Sequence, residues 1–562
     1  SLEELASLPI AERSTTEQLS AMLLTAGRRS LVVPLELALR IVGRQGSQAI
    51  VDFIRQFDIF RWTEDASGNQ FLGVRTRLEA ELLSKENLTD LTEIDVISSF
   101  IRHIHPQFGR RTAGDEVQFI VNLMEHIGPQ SQEHGRYRRW YGELADAFAD
   151  QREQTGESHP RLVLLEANLM RKYIMWSQRA KEMNREERLA HLRNSEELLQ
   201  RTLEEGDSIA RQTRLNLYVE LASSLGSQIY ELVSRENPSP PDLIEPMLRQ
   251  LLETVMRARA IDPENIYPVD VLAWVAKAAV RSGLLTTQDR IELLGNARAS
   301  LDSIDPVDLS PDQQAQYNDR QADIAQLLGD KSRENSFLDE LKSIDDPAAY
   351  YLLAKRALDN NNNPATVKLT LSTLLEAPTR IRDDWKCARL ILDLYWRDQT
   401  GSYPLRGERN TVAFTQEDWT QCLDLLASLR GAATFDQYRI SFLRGLALFH
   451  VGAIGKCQSE FRDLGSLGLD VSRRVHLTYL ASNPDGSPTK FTGRVTWASA
   501  DGRKGKVWVE GLRAEIDFVP LYFSTESYRS KGEVLPEFHI GFNYRGPIAD
   551  PIRPRSTLRR NS

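Results

Sequence analysis

The spacing of apolar and polar positions is helical over most of the chain. Ser14 and Glu17 stand as a capping box, and Leu19, Met22, Leu23 and Ala26 recur at helical intervals until Gly27 interrupts them. A second helix is predicted from Pro34, which suits a first turn, with Leu35, Ala38, Leu39 and Val42 on one face before Gly43. A third starts near Ser47 and turns Ile50, Val51, Ile54 and Phe57 inward. Two β-like runs, Ile59 to Trp62 and Phe71 to Val74, flank the turn residues 65–69. Three helices and a hairpin predict a winged helix within residues 1–85. Such a fold can lay its last helix in the major groove of DNA, but here that helix offers only Arg55 as a base-reading cation. A spacer role between neighbouring domains is the favoured reading.

Residues 86–160 read as a helical connector and 161–482 as a long series of amphipathic helices. Leu162, Leu165, Leu169, Tyr173 and Trp176 form one stripe. Leu215, Tyr218, Val219, Ala222 and Leu225 form another, and Val271, Trp274, Val275 and Ala278 a third. Helices this short cannot each bury a stripe alone, so they are expected to stack on their neighbours as a solenoid. Cys387, Cys422 and Cys457 are 35 residues apart, close to the period of about 34 of tetratricopeptide repeats. Gly445, Leu448, Gly452, Cys457 and Phe461 then fall where that repeat places a small residue, a bulky one, a turn glycine, a small packed residue and an aromatic. This stretch resembles the tetratricopeptide family. In that register the three cysteines lie in successive repeats and behave as inert core thiols.

The charge balance changes the picture only by exclusion. With a net charge of -9, 41% hydrophobic and 27% charged residues over 562 positions, the chain reads as several soluble domains without a whole-surface nucleic-acid footprint. No apolar run is long enough to span a membrane and no signal peptide opens the sequence, so a cytoplasmic location is expected. The chain starts at Ser1 and its first methionine, Met22, lies inside a predicted helix, which suggests a piece of a longer polypeptide.

Motifs for chemistry are missing. Gly329-Asp330-Lys331-Ser332 and Gly505-Lys506-Val507 fail as phosphate-cradling loops, and HExxH, GxSxG and paired CxxC do not occur. His103 and His105 are two residues apart, which turns their rings to different helix faces. The expectation is no catalytic residue, no metal and no cofactor.

After Asn483-Pro484-Asp485-Gly486 the pattern turns to short β-branched and aromatic runs that predict a small barrel over 489–553, followed by a basic tail at 554–562. The runs Phe491 to Val495, Lys504 to Val509, Ile516 to Val519, Gly532 to Val534 with Phe538, and Arg545 to Ala549 resemble a cold-shock domain. The resemblance implies single-stranded nucleic-acid binding by base stacking on the second and third strands. The family's aromatic pairs are largely replaced by Lys506, Val507, Ile516 and Asp517, leaving Trp508 and Phe518 as stacking candidates. Arg494, Lys506, Trp508, Phe518 and Arg545 are the candidate nucleic-acid contacts, set against an inward, core-filling orientation of both aromatics.

The predicted fold is thus mainly α, a tetratricopeptide-like α-solenoid with an N-terminal winged helix and a small C-terminal β-barrel of OB or cold-shock type. In that order, with Val33-Pro34-Leu35, Asp58 to Trp62 and His159-Pro160-Arg161-Leu162, the chain resembles the C-terminal half of bacterial signal-transduction ATPases with numerous domains, relatives of NOD-like receptors. The resemblance implies an upstream NTPase and effector, a repeat array that senses a protein ligand such as a phage component, and self-association of the full-length protein. The alternative is a single-stranded nucleic-acid or RNA scaffold acting through the barrel.

Overall fold

The computed structural model describes residues 14–43, 46–66, 68–105, 113–131, 133–176, 183–205, 209–233, 241–429, 437–465, 476–523 and 531–552. The expected tail at 554–562 lies outside them. The chain forms two compact units, Ser1–Asp345 and Asp346–Ser562. Among the described residues no helix is long and apolar enough to cross a membrane.

The first unit begins with α1 (Thr15–Gly27), started by the Ser14–Glu17 capping box. Strand β1 (Val33–Pro34), α2 (Leu35–Val42), α3 (Gly46–Gln56), β2 (Phe60–Glu64) and β3 (Gln70–Val74) come after it. The strands pair antiparallel in the order β1-β3-β2. Ile50 and Phe53 of α3 are buried, and Phe53 stacks on Phe60 at 4.7 Å. Next come α4 (Arg77–Asn87), α5 (Asp90–His103), α6 (Ala113–Ile127) and α7 (Tyr141–Thr155).

A buried ionic cluster joins the end of α1 to α5. Glu93, wholly buried, receives Arg28 at 3.1 Å, Arg29 at 2.7 Å and Arg136 at 3.0 Å. Arg136 and Arg139 also reach Asp90, at 2.5 and 3.2 Å. Burial opposes ionisation of Glu93, but Arg29, Arg136 and Arg28 outweigh it and hold its carboxyl below the usual range.

The helices α8 (Pro160–Trp176), α9 (Arg185–Glu205), α10 (Arg211–Leu232), α11 (Pro241–Ile261), α12 (Ile266–Ser282), α13 (Thr287–Asp302), α14 (Pro311–Leu328) and α15 (Lys331–Ser343) build a two-layer repeat array. Each of α8, α10, α12 and α14 packs on the next as a first layer, and the helices between them form the second. Caps explain the regular breaks. Asn265, Thr286 and Asp330 accept hydrogen bonds from first-turn amides, and Gly283 and Gly329 end helices at φ +75° and +77°.

The second unit continues with α16 (Pro347–Asn360), α17 (Pro364–Glu376), α18 (Trp385–Thr400), α19 (Gln416–Ser428), α20 (Gln437–His450) and α21 (Ile454–Gly465). In the α20–α21 hairpin a Cβ on Gly445 would lie 2.5 Å from the Phe461 ring, and Gly452 turns the chain at φ +81°. These are the roles the repeat pattern assigns them. The three cysteines are buried and unpaired, and burial pushes the thiols of Cys387 and Cys457 up to about 12. Their equal spacing does not mark equal positions: Cys387 is the third residue of its helix, Cys422 the seventh and Cys457 the fourth.

Strand β4 (Tyr479–Leu480) leads into β5 (Phe491–Ala498), β6 (Gly505–Val509), β7 (Ala514–Phe518), β8 (Val534–Asn543) and β9 (Gly546–Pro551). The order is β4-β8-β5-β6-β7-β9, and β8 pairs again with β9, so β5 to β9 close a five-stranded barrel with β7 and β9 parallel. Phe442, Phe461, Tyr479, Phe542 and Tyr544 join it to the last repeat helices through ring contacts of 4.9–6.3 Å. Between α18 and α19 the chain runs beside β4: Arg409 and Asn410 donate main-chain bonds to Leu477 and Thr478, Leu480 donates to Asn410, and Arg409 meets Asp550 at 2.9 Å.

Candidate functional site

Two surfaces carry side chains that the core does not use. The first lies on the barrel, where strict alternation divides β6 and β7. Val507, Val509, Ile516 and Phe518 point in, while Lys506, Trp508, Glu515 and Asp517 point out. Register sets Arg494, Trp508 and Glu515 in one row across β5, β6 and β7, and Trp497, Lys506 and Asp517 in the next.

Trp497 is on this face because of a β-bulge. The register shifts between Val495 and Trp497, so that Val495 pairs with Val507 but Trp497 pairs with Lys506. Unbroken alternation would have given Trp497 the inward side of Val495; the extra residue reverses it, and the indole is 51% exposed. No compositional signal announces the bulge, and sequence reasoning missed this residue.

The sequence candidates divide. Arg494, Lys506 and Trp508 share the face. Phe518 does not: it is 1% exposed and its ring covers Gly505, where any Cβ would collide with it. Its position on β7 puts it on the inward parity, so the expected stacking platform is barrel core. Arg545 stands in the β8–β9 turn beside the repeat helices, where its amide donates to Asn543 Oδ1 at 2.8 Å, and it is not part of the face.

The cations there are balanced. Arg494 lies 3.6 Å from Glu510 and Lys506 lies 3.9 Å from Glu515. Crowding by neighbouring atoms raises the Asp517 carboxyl, with Lys506 opposing and Glu515 adding to the rise. The face therefore joins two exposed indoles to mixed charge.

The second surface is on the first layer of the α8–α14 array. Neighbouring helices are tied by polar bonds: Arg171 grips Glu220 at 2.6 and 2.9 Å, Arg320 donates to Asp270 at 2.7 Å, and Lys277 reaches Asp323 at 2.5 Å. Among these ties runs an apolar strip. The Met175 sulfur touches Ser227 Oγ at 3.7 Å, and Tyr230, one turn further along α10, meets the Trp274 ring edge-on at 6.4 Å. Gly226 allows that approach, since a Cβ there would lie 2.9 Å from the indole. Met175 and Tyr230 are 47% and 60% exposed.

Among the described residues no three His, Cys, Asp or Glu side chains are grouped to hold a metal ion. A shallow cleft of about 450 Å³ is lined by Arg298, Asp330, Ser332, Arg333, Ser336 and Phe337.

Neither a family model nor a curated protein sequence matches the chain. Among solved structures it is similar to a circular tandem repeat protein with novel repeat topology and enhanced subunit contact surfaces. Identity is 14%, 80% of this chain and 93% of the other are covered, and the TM-score is 0.19.

Proposed function

We propose that this chain is the non-catalytic sensing and regulatory region of a larger NTPase of the signal-transduction type in bacterial antiphage immunity, and that it docks a target protein on the first layer of its repeats. The observation that carries this reading is the Met175–Tyr230–Trp274 strip. Aromatics, Met and Arg are enriched where protein interfaces concentrate their energy, and paired charges on either side fix register without drawing in a charged small molecule. The three-helix and three-strand arrangement before α4 is consistent with a winged helix between an NTPase and its sensor. Target binding would bias the NTPase by differential affinity for its closed and assembled states.

The test is co-expression of the full-length protein with individual phage structural proteins. Tyr230→Ala with Trp274→Ala is expected to weaken the response to the activating protein by about tenfold or more, while circular dichroism stays unchanged. An undiminished response in the folded double variant removes the strip from recognition.

A second reading is favoured by one specific observation, the pair of exposed indoles on the barrel beside Arg494 and Lys506. Such a face can stack two bases of a single strand. Fluorescence anisotropy with oligo-dT and oligo-U would test it. Binding should fall by about tenfold from 50 to 200 mM salt if some three phosphates are neutralised, and should be lost in Trp508→Ala.

A further inference from the structure

The second unit holds a cleft lined by charges that do not join each other. It lies where α17 and α19 both pack on α18, beside the single helical turn Thr379–Arg382. Ala388 and Ile391 of α18, both buried, and the half-buried Leu375 and Leu425 supply its apolar lining. Arg382 and Asp383 line it from the turn, and Asp424 lines it from α19. Its volume of about 200 Å³ equals some six or seven waters at about 30 Å³ each, room for a ligand of about ten non-hydrogen atoms.

The three charged side chains are exposed. Arg382 donates to Thr379 Oγ1 at 3.2 Å, and among the described residues none of the three makes an ion pair. A cation and two carboxylates that line one small cleft without touching leave room for a ligand's charges between them. Neighbouring groups are committed elsewhere. Asp384 accepts from the Lys386 and Cys387 amides as the cap of α18, and the Lys386 ammonium lies 5.7 Å from the Trp385 ring centre.

One acid is in excess, so a ligand that answers all three charges carries a net positive charge. A carboxylate of its own meets the guanidinium, and two ammonium groups meet the two acids, each by a charge-assisted hydrogen bond. Between them an unbranched methylene stem can lie along the apolar lining, as the stems of basic side chains do on apolar surface. We propose that this cleft binds a free basic α-amino acid of the lysine type, with its carboxylate on Arg382, its α-ammonium on Asp383 and its side-chain ammonium on Asp424. The site is built wholly within the second unit and does not rest on the docking of a target protein. It gives the chain a small-molecule input, and a ligand held by the turn and by α19 stabilises the packing of α17, α18 and α19 by mass action.

Isothermal titration calorimetry on the whole chain tests it with L-lysine as the probe. Half-saturation is expected at about 1 mM or below, a modest demand on a ligand of about ten non-hydrogen atoms. Three analogues each remove one anchor: lysinamide the carboxylate, Nα-acetyl-lysine the α-ammonium and norleucine the side-chain ammonium. Each should bind about tenfold or more weakly. Arg382→Gln and Asp424→Asn alter exposed side chains and should each weaken lysine by a similar factor, with circular dichroism unchanged. Asp424→Asn should leave the weak binding of norleucine as it was. No saturable heat with lysine up to about 10 mM, ten times the expected half-saturation, overturns the proposal. So does lysine binding that both substitutions leave intact. Nα-acetyl-lysine binding as tightly as lysine overturns it too, since the occupant would then be a lysine within a peptide.

Discussion

Around Glu93, three guanidiniums share one carboxylate that solvent does not reach, at 2.7–3.1 Å. On the barrel face, Arg494 and Lys506 keep to the exposed Glu510 and Glu515 at 3.6 and 3.9 Å. Similar residues serve opposite ends. The buried set is centred on a carboxylate shut away from water, so it fixes how α1 meets α5, and removing that carboxylate leaves its arginines short of counter-charge in a low dielectric. The open set holds its partners loosely and can exchange them for a ligand's at little cost. A charged cluster is thus structural or available according to what water can reach.

The contrast breaks first at its buried pole. Glu93→Ala should destabilise the first unit by about 3–5 kcal/mol, because Arg29 and Arg136 lose their central counter-charge. Urea unfolding combined with hydrogen exchange in α5 would measure this, and a loss below about 1 kcal/mol would show that the arginines find other partners. The same carboxyl sets a pH limit. Its folded pKa is depressed below 4.5, so its contribution is complete above that value and is lost as pH falls through the lower folded pKa.

A buried group of the other sign sharpens the contrast in the second unit. His450 stacks on Trp419 at 4.2 Å with Phe542 nearby, and burial lowers its pKa from 6.5 to about 4. The unfolded chain takes up a proton below pH 6.5 while the folded one stays neutral, so stability should fall by up to about 3 kcal/mol as pH drops from 6.5 towards 4. His450→Phe should flatten that slope in pH-dependent denaturation.

Smaller still is the cost of crowding a packed joint. Gly445→Ala drives a methyl into the Phe461 ring and should cost about 1–3 kcal/mol, while the same change at Gly295, which has open space around it, should be neutral or slightly stabilising through helix propensity. At the open pole, Arg494→Ala and Lys506→Ala should each shift stability by no more than about 0.5 kcal/mol. A larger shift in thermal melting would mean that these cations hold the barrel together and are not free for a partner.

Much of the fold was legible because its determinants are local. Ser14 and Glu17 announce α1, Gly445 and Phe461 announce a close helix pair, and alternation through Val507, Trp508 and Val509 sets the inner and outer sides of β6. The site was less legible. Phe518 looked like a stacking platform because an aromatic in a strand gives no hint of its side until register is known. Trp497 was hidden by a one-residue bulge that reverses parity. Glu93 sits in a polar-looking stretch, and its burial depends on arginines far away in sequence. The Met175, Tyr230 and Trp274 strip needs three helices to be stacked before it exists. Equal cysteine spacing misled in the other direction, since the segment between α18 and α19 is used to flank β4 and not to continue a repeat.

That flanking segment has an evolutionary and practical consequence. Because the stretch around Arg409 and Asn410 supplies backbone partners to Leu477, Thr478 and Leu480, the terminal barrel cannot be cut from the gene as a cassette of its own. A graft that took only β4 to β9 would leave behind a neighbour encoded between two helices upstream. Recombination that keeps both must move α18 through β9 as one inheritable block.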